Sequence, residues 1–233
     1  EVGGLWFAEA VWVKDGPGIG KVVADWMTKG MPDHDPHAID IARFYPAQKE
    51  ENYVAGRCRE IAQKIYTPAV HPREPFATGR DLFVSPFYER EVALGGYFME
   101  VAGWERAHGY KANEESLLTK YRDQVPVRHA EWDNRHFWEV SNAEHLELSE
   151  SVGMINLSHF AIYDIRGRDA ESLLEYLAVA KVGGDTKIGK GVYTHFLSAD
   201  GGIRADLTIV RLSADLYRGI CGGDNGHRDL TWI

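Results

Sequence analysis

The sequence predicts an α+β fold, and three observations carry that expectation. The chain opens as strand, glycine turn and helix. Its middle holds aromatic-rich, hairpin-like strands. Its last third reads as a set of strands around one amphipathic helix. With 233 residues, 44% hydrophobic and 26% charged, the composition is that of a globular protein with room for one large domain or parts of two.

Residues 5–13, Leu-Trp-Phe-Ala-Glu-Ala-Val-Trp-Val, are rich in aromatic and β-branched side chains and end at Asp15-Gly16-Pro17-Gly18, which predicts a strand and a turn. From Ile19 to Lys29, Val22, Val23, Trp26 and Met27 recur at helical spacing. One strand and one helix cannot bury their apolar faces alone, so the pair is expected to complete a unit begun upstream. Residues 30–50, rich in Pro, Asp and His, read as a connection. Asn52 to Tyr66 reads as a helix with Ile61 and Ile65 four apart, and His71-Pro72-Arg73-Glu74-Pro75 as a loop.

Strands are expected over Arg80–Tyr88 and Gly95–Val101, where Phe83, Phe87, Tyr97 and Phe98 supply β propensity. Residues 107–145 are polar and mixed, and the boundary between two domains is placed there. Beyond Val152 the pattern sharpens. Gly153–His159 and Phe160–Ile165 read as strands. Asp169–Ala180 reads as a helix with Leu173, Leu174 and Leu177 on one face. Val192–Ser198, Ile203–Leu212 and Tyr217–Cys221 read as further strands, and Asp229–Ile233 as the start of a helix.

A formal charge of −9 argues against a nucleic-acid surface, which needs clustered Lys and Arg. No run approaches the roughly 18 apolar residues that a membrane helix requires. Cys58 and Cys221 stand far apart without a C-x-x-C pattern, which disfavours a disulfide framework and a Cys-based metal site. The ten histidines form no H-x-x-x-H or H-E-x-x-H pattern, and His34 and His37 fall in a Pro-Asp loop, so no metal is expected. A reducing compartment fits, either the cytoplasm or, in a eukaryote, the mitochondrial matrix.

Three motifs bear on chemistry. The first is Trp12-Val13-Lys14-Asp15-Gly16-Pro17-Gly18-Ile19-Gly20-Lys21, a glycine-rich turn entering a helix. It lacks both the P-loop spacing and the G-x-G-x-x-G fingerprint, and it reads either as a plain turn or as a helix N-terminus facing a negative group. The second, Arg80 to Arg106 with Gly95-Gly96-Tyr97-Phe98 and Gly103-Trp104-Glu105-Arg106, reads as packing rather than chemistry. The third runs from Tyr193 to Leu212. A strand enters Asp200-Gly201-Gly202, turns, and leaves as a second strand carrying one carboxylate, Asp206, among apolar residues. On spacing alone Asp206 is either a solvated strand residue or a site residue. His195, two residues after Tyr193, would share that face and reads as a core or rim histidine.

Together these strings resemble the dimethylglycine oxidase and sarcosine dehydrogenase family. Gly4 to Val13 and Lys21 to Trp26 resemble the end of its flavin domain, Arg80 to Arg106 its central domain, and Gly153 to Phe160, Ile165 to Ala170 and Tyr193 to Leu212 its aminomethyltransferase (glycine-cleavage T-protein) folate domain. The resemblance implies FAD and tetrahydrofolate as cofactors and an N-methyl amine as substrate, with the iminium carbon passed to tetrahydrofolate. It places Val11, Trp12, Val13 and Lys14 beside the flavin, Tyr193 against the folate, and Asp206 as the catalytic acid. Asn225 falls where the family has an Asn near the folate pocket. Relatives carry small or hydroxylated residues and a His where this chain has Lys14-Asp15-Gly16-Pro17, so backbone rather than side-chain contact is expected there.

The implied organisation is the C-terminal end of a flavin-binding α/β domain over residues 1–45, a mixed central domain over 46–106, a connection over 107–145 and the start of a folate domain over 146–233. The chain is therefore expected to be an internal fragment of a longer oxidoreductase. Two alternatives stay open: a short non-catalytic interaction module, and a folate-dependent aminomethyltransferase supplied with iminium by another protein.

Overall fold

Period-two alternation in the last third of the chain builds the largest sheet. In the computed structural model, which describes residues 3–9, 12–36, 39–66, 75–130 and 136–233, four antiparallel strands lie in the order β3-β6-β5-β4. They are β3 (Ala161–Arg166), β4 (Gly191–Leu197), β5 (Ile203–Arg211) and β6 (Leu216–Cys221). Ala205, Leu207 and Ile209 of β5 are buried, whereas Asp206 between them is exposed, so one face is core and the other open.

Two helices cover the core face. Helix α6 (Ala170–Leu177) packs on β4 and β6, and α7 (Gly226–Trp232) on β3 and β5. The core joins Leu174 and Val182 to Phe196, Leu207, Ile209, Tyr217 and Cys221. Gly219 is required beneath Tyr163, since a Cβ there would lie 2.4 Å from Tyr163 Cε2.

The earlier part is helical around one hairpin. Helix α1 spans Gly16–Lys29 and ends at Gly30 in the left-handed conformation (φ 82°). Helix α2 spans Glu51–Tyr66 and α3 Tyr88–Ala93. Strands β1 (Gly96–Val101) and β2 (Trp104–Tyr110) pair antiparallel. Their two-residue turn, Ala102-Gly103, has φ of 53° and 87°, both positive as a type I′ hairpin turn requires. Helices α4 (Glu114–Lys120) and α5 (Trp138–Glu150) follow and pack together. The expected helices over 19–29 and 52–66 and strands over 95–101, 192–198, 203–212 and 217–221 are all found, with ends moved by a few residues. The helix expected over 169–180 stops at Leu177.

Three expected strands are corrected. Residues 5–9 carry no ladder, Phe7 is 86% exposed, and Val13–Asp15 form a 3-10 turn instead. Residues 80–88 make a single bridge, Phe83 to Trp104. Pro86 cannot donate to a ladder, and Tyr88 already begins α3. Residues 153–157 are irregular and carry Met154 exposed, and pairing begins only at Ala161. In each case β propensity is present but a partner strand is not, and propensity alone does not satisfy backbone N–H and C=O groups. The His71–Pro75 loop lies outside the described residues except for Pro75.

Candidate functional site

The open face of the sheet gathers three polar side chains. In the β4–β5 register His195 lies opposite Asp206, and Tyr193 opposite Thr208. Tyr193, His195 and Asp206 therefore share one face, as period-two geometry dictates. The Tyr193 hydroxyl donates to Asp206 Oδ2 at 3.0 Å and lies 3.4 Å from His195 Nε2. The two rings meet edge-on, with centroids 5.2 Å apart. Tyr193 is 61% exposed, so one aromatic face and the hydroxyl edge remain open to a ligand. The hydrogen bond to the Asp206 carboxylate, with some burial, pushes the Tyr193 phenol above its usual range. Among the described residues no donor is bonded to Asp206 Oδ1, which leaves it free to accept from a ligand N–H.

The turn that delivers β5 is locally fixed. Ser198 N donates to Gly202 O at 2.8 Å, the Ser198 hydroxyl bonds Asp200, and Gly201 takes a φ of 87°. Asn225 occupies the N-cap of α7 and makes no side-chain cap bond.

The other expected site is arranged differently. Val11 lies outside the described residues. Trp12 precedes the 3-10 turn, Val13 is 96% exposed, and the Lys14 ammonium pairs with Asp15 at 2.7 Å. Trp12 is half-buried and Val13 and Lys14 are exposed, so these side chains do not by themselves enclose a ring. No described cluster of three or more His, Cys, Asp or Glu side chains could hold a metal, and no described helix is long and apolar enough to cross a membrane.

Sequence reasoning missed Asp229. It sits in α7 only 1% exposed, and among the described residues neither carboxylate oxygen has a hydrogen-bond partner. Burial, with Asp206 and Asp224 nearby, pushes it up to about 6, while the Cys221 thiol and Arg228 oppose the shift. The available signal was a lone acid four residues before Ile233 on an apolar helix face.

Family models divide the chain into an aminomethyltransferase-type part and an oxidoreductase-type part. Residues 87–233 match the family described as the GCVT N-terminal domain, and residues 29–85 that described as the FAD dependent oxidoreductase central domain. The chain belongs to the family of dimethylglycine oxidase and sarcosine dehydrogenase. It is 36% identical over 202 residues to 4-methylaminobutanoate oxidase (formaldehyde-forming) of Paenarthrobacter nicotinovorans, covering 86% of this chain and 23% of that protein. It is 31% identical over 220 residues to the mitochondrial pyruvate dehydrogenase phosphatase regulatory subunit of Mus musculus (94% and 24%). It is 29% identical over 221 residues to mitochondrial dimethylglycine dehydrogenase of Mus musculus (93% and 23%). The chain thus spans about a quarter of the length of these relatives.

Proposed function

We propose that this chain supplies the central segment and the opening part of the folate site of a flavin-dependent N-methyl amine oxidoreductase that passes a one-carbon unit to tetrahydrofolate. The observation that carries the reading is the Tyr193–Asp206 hydrogen bond on an open sheet face, within the stretch matched to the GCVT N-terminal domain. Tetrahydrofolate fits the residues present. The Tyr193 ring offers an aromatic face to a pterin, and Asp206 offers a carboxylate to an N–H. The folate supplies the nucleophilic nitrogen. Asp206 would hold that nitrogen's N–H and could accept its proton, and Tyr193 would hold Oδ2 so that Oδ1 is left for the ligand.

FAD belongs to this reading through the family. Trp12 is half-buried and Val13 and Lys14 are exposed, and no step is assigned to them. The names of two relatives, an oxidase of a methylaminobutanoate and a dimethylglycine dehydrogenase, support an N-methylated amino acid as substrate class. The regulatory subunit among the relatives favours a second reading, a non-catalytic interaction module.

Amine turnover by the full-length polypeptide separates the two. In the first reading, Asp206→Asn abolishes formation of methylenetetrahydrofolate while amine oxidation continues and the carbon leaves as formaldehyde. Undiminished folate product in Asp206→Asn overturns the role of Asp206. Complete absence of amine oxidation in the wild type favours the regulatory reading.

A further inference from the structure

His195 belongs to the rim of the open sheet face and not to the core. Its neighbours Thr194 and Phe196 are 2% and 0% exposed, so period two turns the imidazole between them outward, where it is half-buried. The β4–β5 register is regular from Gly191 to Phe196, and its one irregularity follows between Phe196 and Leu197. Within the regular part His195 stands directly across from Asp206, a pairing that sets the two Cβ atoms about 5 Å apart.

Tyr193 fixes how both groups present themselves. Its hydroxyl proton goes to Asp206 Oδ2 at 3.0 Å, so toward His195 Nε2, 3.4 Å away, the phenol oxygen acts as acceptor. That contact assigns the ring proton to Nε2 and leaves the lone pair on Nδ1. The bond to Asp206 pushes the Tyr193 phenol above its usual range, so Tyr193 is not itself a base. Thr208, opposite Tyr193, offers only a hydroxyl.

The proposed reaction calls for two proton acceptors. Two folate nitrogens each bond the one-carbon unit, and each loses a proton. Both bonds of the iminium C=N break, their electron pairs stay on the amine nitrogen, and that nitrogen takes the two protons and leaves as an ammonium. Charge is conserved and no oxidant enters. Asp206 accounts for one of the protons. We propose that His195 is a second catalytic residue of this site, whose Nδ1 accepts the other folate proton and returns it to the departing amine. The inference rests on the reading of the Tyr193–Asp206 face as the folate site.

The test uses the full-length polypeptide with amine and tetrahydrofolate, and follows how the amine carbon divides between methylenetetrahydrofolate and formaldehyde. His195→Ala is expected to slow methylenetetrahydrofolate formation about a hundredfold, to keep the KM for tetrahydrofolate within about twofold of wild type, and to divert the carbon to formaldehyde. Free imidazole, which fits the space the ring has left, is expected to raise the rate of His195→Ala at least about tenfold. His195→Gln, similar in volume but without a base, is expected to be as slow as His195→Ala. Undiminished folate product in either variant overturns the proposal. A loss that imidazole leaves untouched does too, because the ring would then only support Tyr193. Asp206→Asn run in parallel locates the failure: if it leaves folate-product formation intact, the folate-site reading has failed, and the His195 proposal with it. If Asp206→Asn abolishes the product and His195→Ala does not slow it, the second acceptor alone has failed.

Discussion

Tyr193 and Asp206, thirteen residues apart, are joined by a 3.0 Å hydrogen bond between neighbouring antiparallel strands. The bond ties the phenol's ionisation to the carboxylate, because an adjacent anion disfavours phenolate. Asp206→Asn is therefore expected to lower the Tyr193 titration back toward the ordinary tyrosine range. An ultraviolet absorbance titration, with Tyr193→Phe identifying the transition, reads this directly. A transition that stays in place means that the two groups are not bonded in solution.

Asp229 makes the fold sensitive to pH in the opposite sense to an ordinary surface carboxylate. Its folded value of about 6 lies above the usual aspartate value of 3.8, so between these limits the folded state binds more protons than the unfolded one. Stability from this group is complete below about pH 4 and is lost as pH rises through about 6. Asp229→Asn is expected to be more stable than wild type by up to about 3 kcal/mol at pH 7, with the two converging at pH 4. Urea unfolding at both pH values checks this, and a variant less stable at pH 7 contradicts it.

Glu60 acts with the other sign. Burial alone would raise it, but Lys64, the Thr78 hydroxyl and the backbone N–H groups of Ala77 and Thr78 outweigh burial and hold it at about 2. Its stabilisation is present above the usual glutamate value of 4.5 and is lost as pH falls through about 2. Glu60→Gln is expected to cost about 3 kcal/mol at pH 7 and progressively less toward pH 2. An equal cost at both ends of that range would show that the loss is steric rather than electrostatic.

The core face of the sheet offers a packing test. Gly219→Ala forces a Cβ to 2.4 Å from the Tyr163 ring and is expected to cost about 1–3 kcal/mol. Gly20→Ala, inside α1 with nothing within 4 Å of its Cβ, is expected to be neutral or stabilising by up to about 1 kcal/mol. Thermal unfolding of the pair checks the contrast, and equal shifts refute it.

How far the sequence could be read depended on whether the deciding interactions were local. The β4–β5 pair was legible because apolar residues flank Asp206 at period two and the Asp200-Gly201-Gly202 turn lies between the strands. That Tyr193, His195 and Asp206 share a face follows from the same period. Residues 5–9, 80–88 and 153–157 misled because strand propensity is local whereas strand existence needs a distant partner. Helices α4 and α5, which lie in or begin within the polar stretch 107–145, were hidden because a mixed-charge surface masks the burial of Tyr121 at the end of α4 and of Val140 and Ala143 in α5. Asp35, Arg204 and Arg228 could not be linked from the sequence, since pairs separated by well over a hundred positions leave no periodic signal.

The central claim is that the Tyr193–Asp206 face binds folate, and equilibrium binding of tetrahydrofolate to the full-length polypeptide tests it most directly. Saturable binding that is weakened at least about tenfold in Tyr193→Ala is the predicted result. Binding that is absent in the wild type, or that is indifferent to Tyr193→Ala, would contradict it.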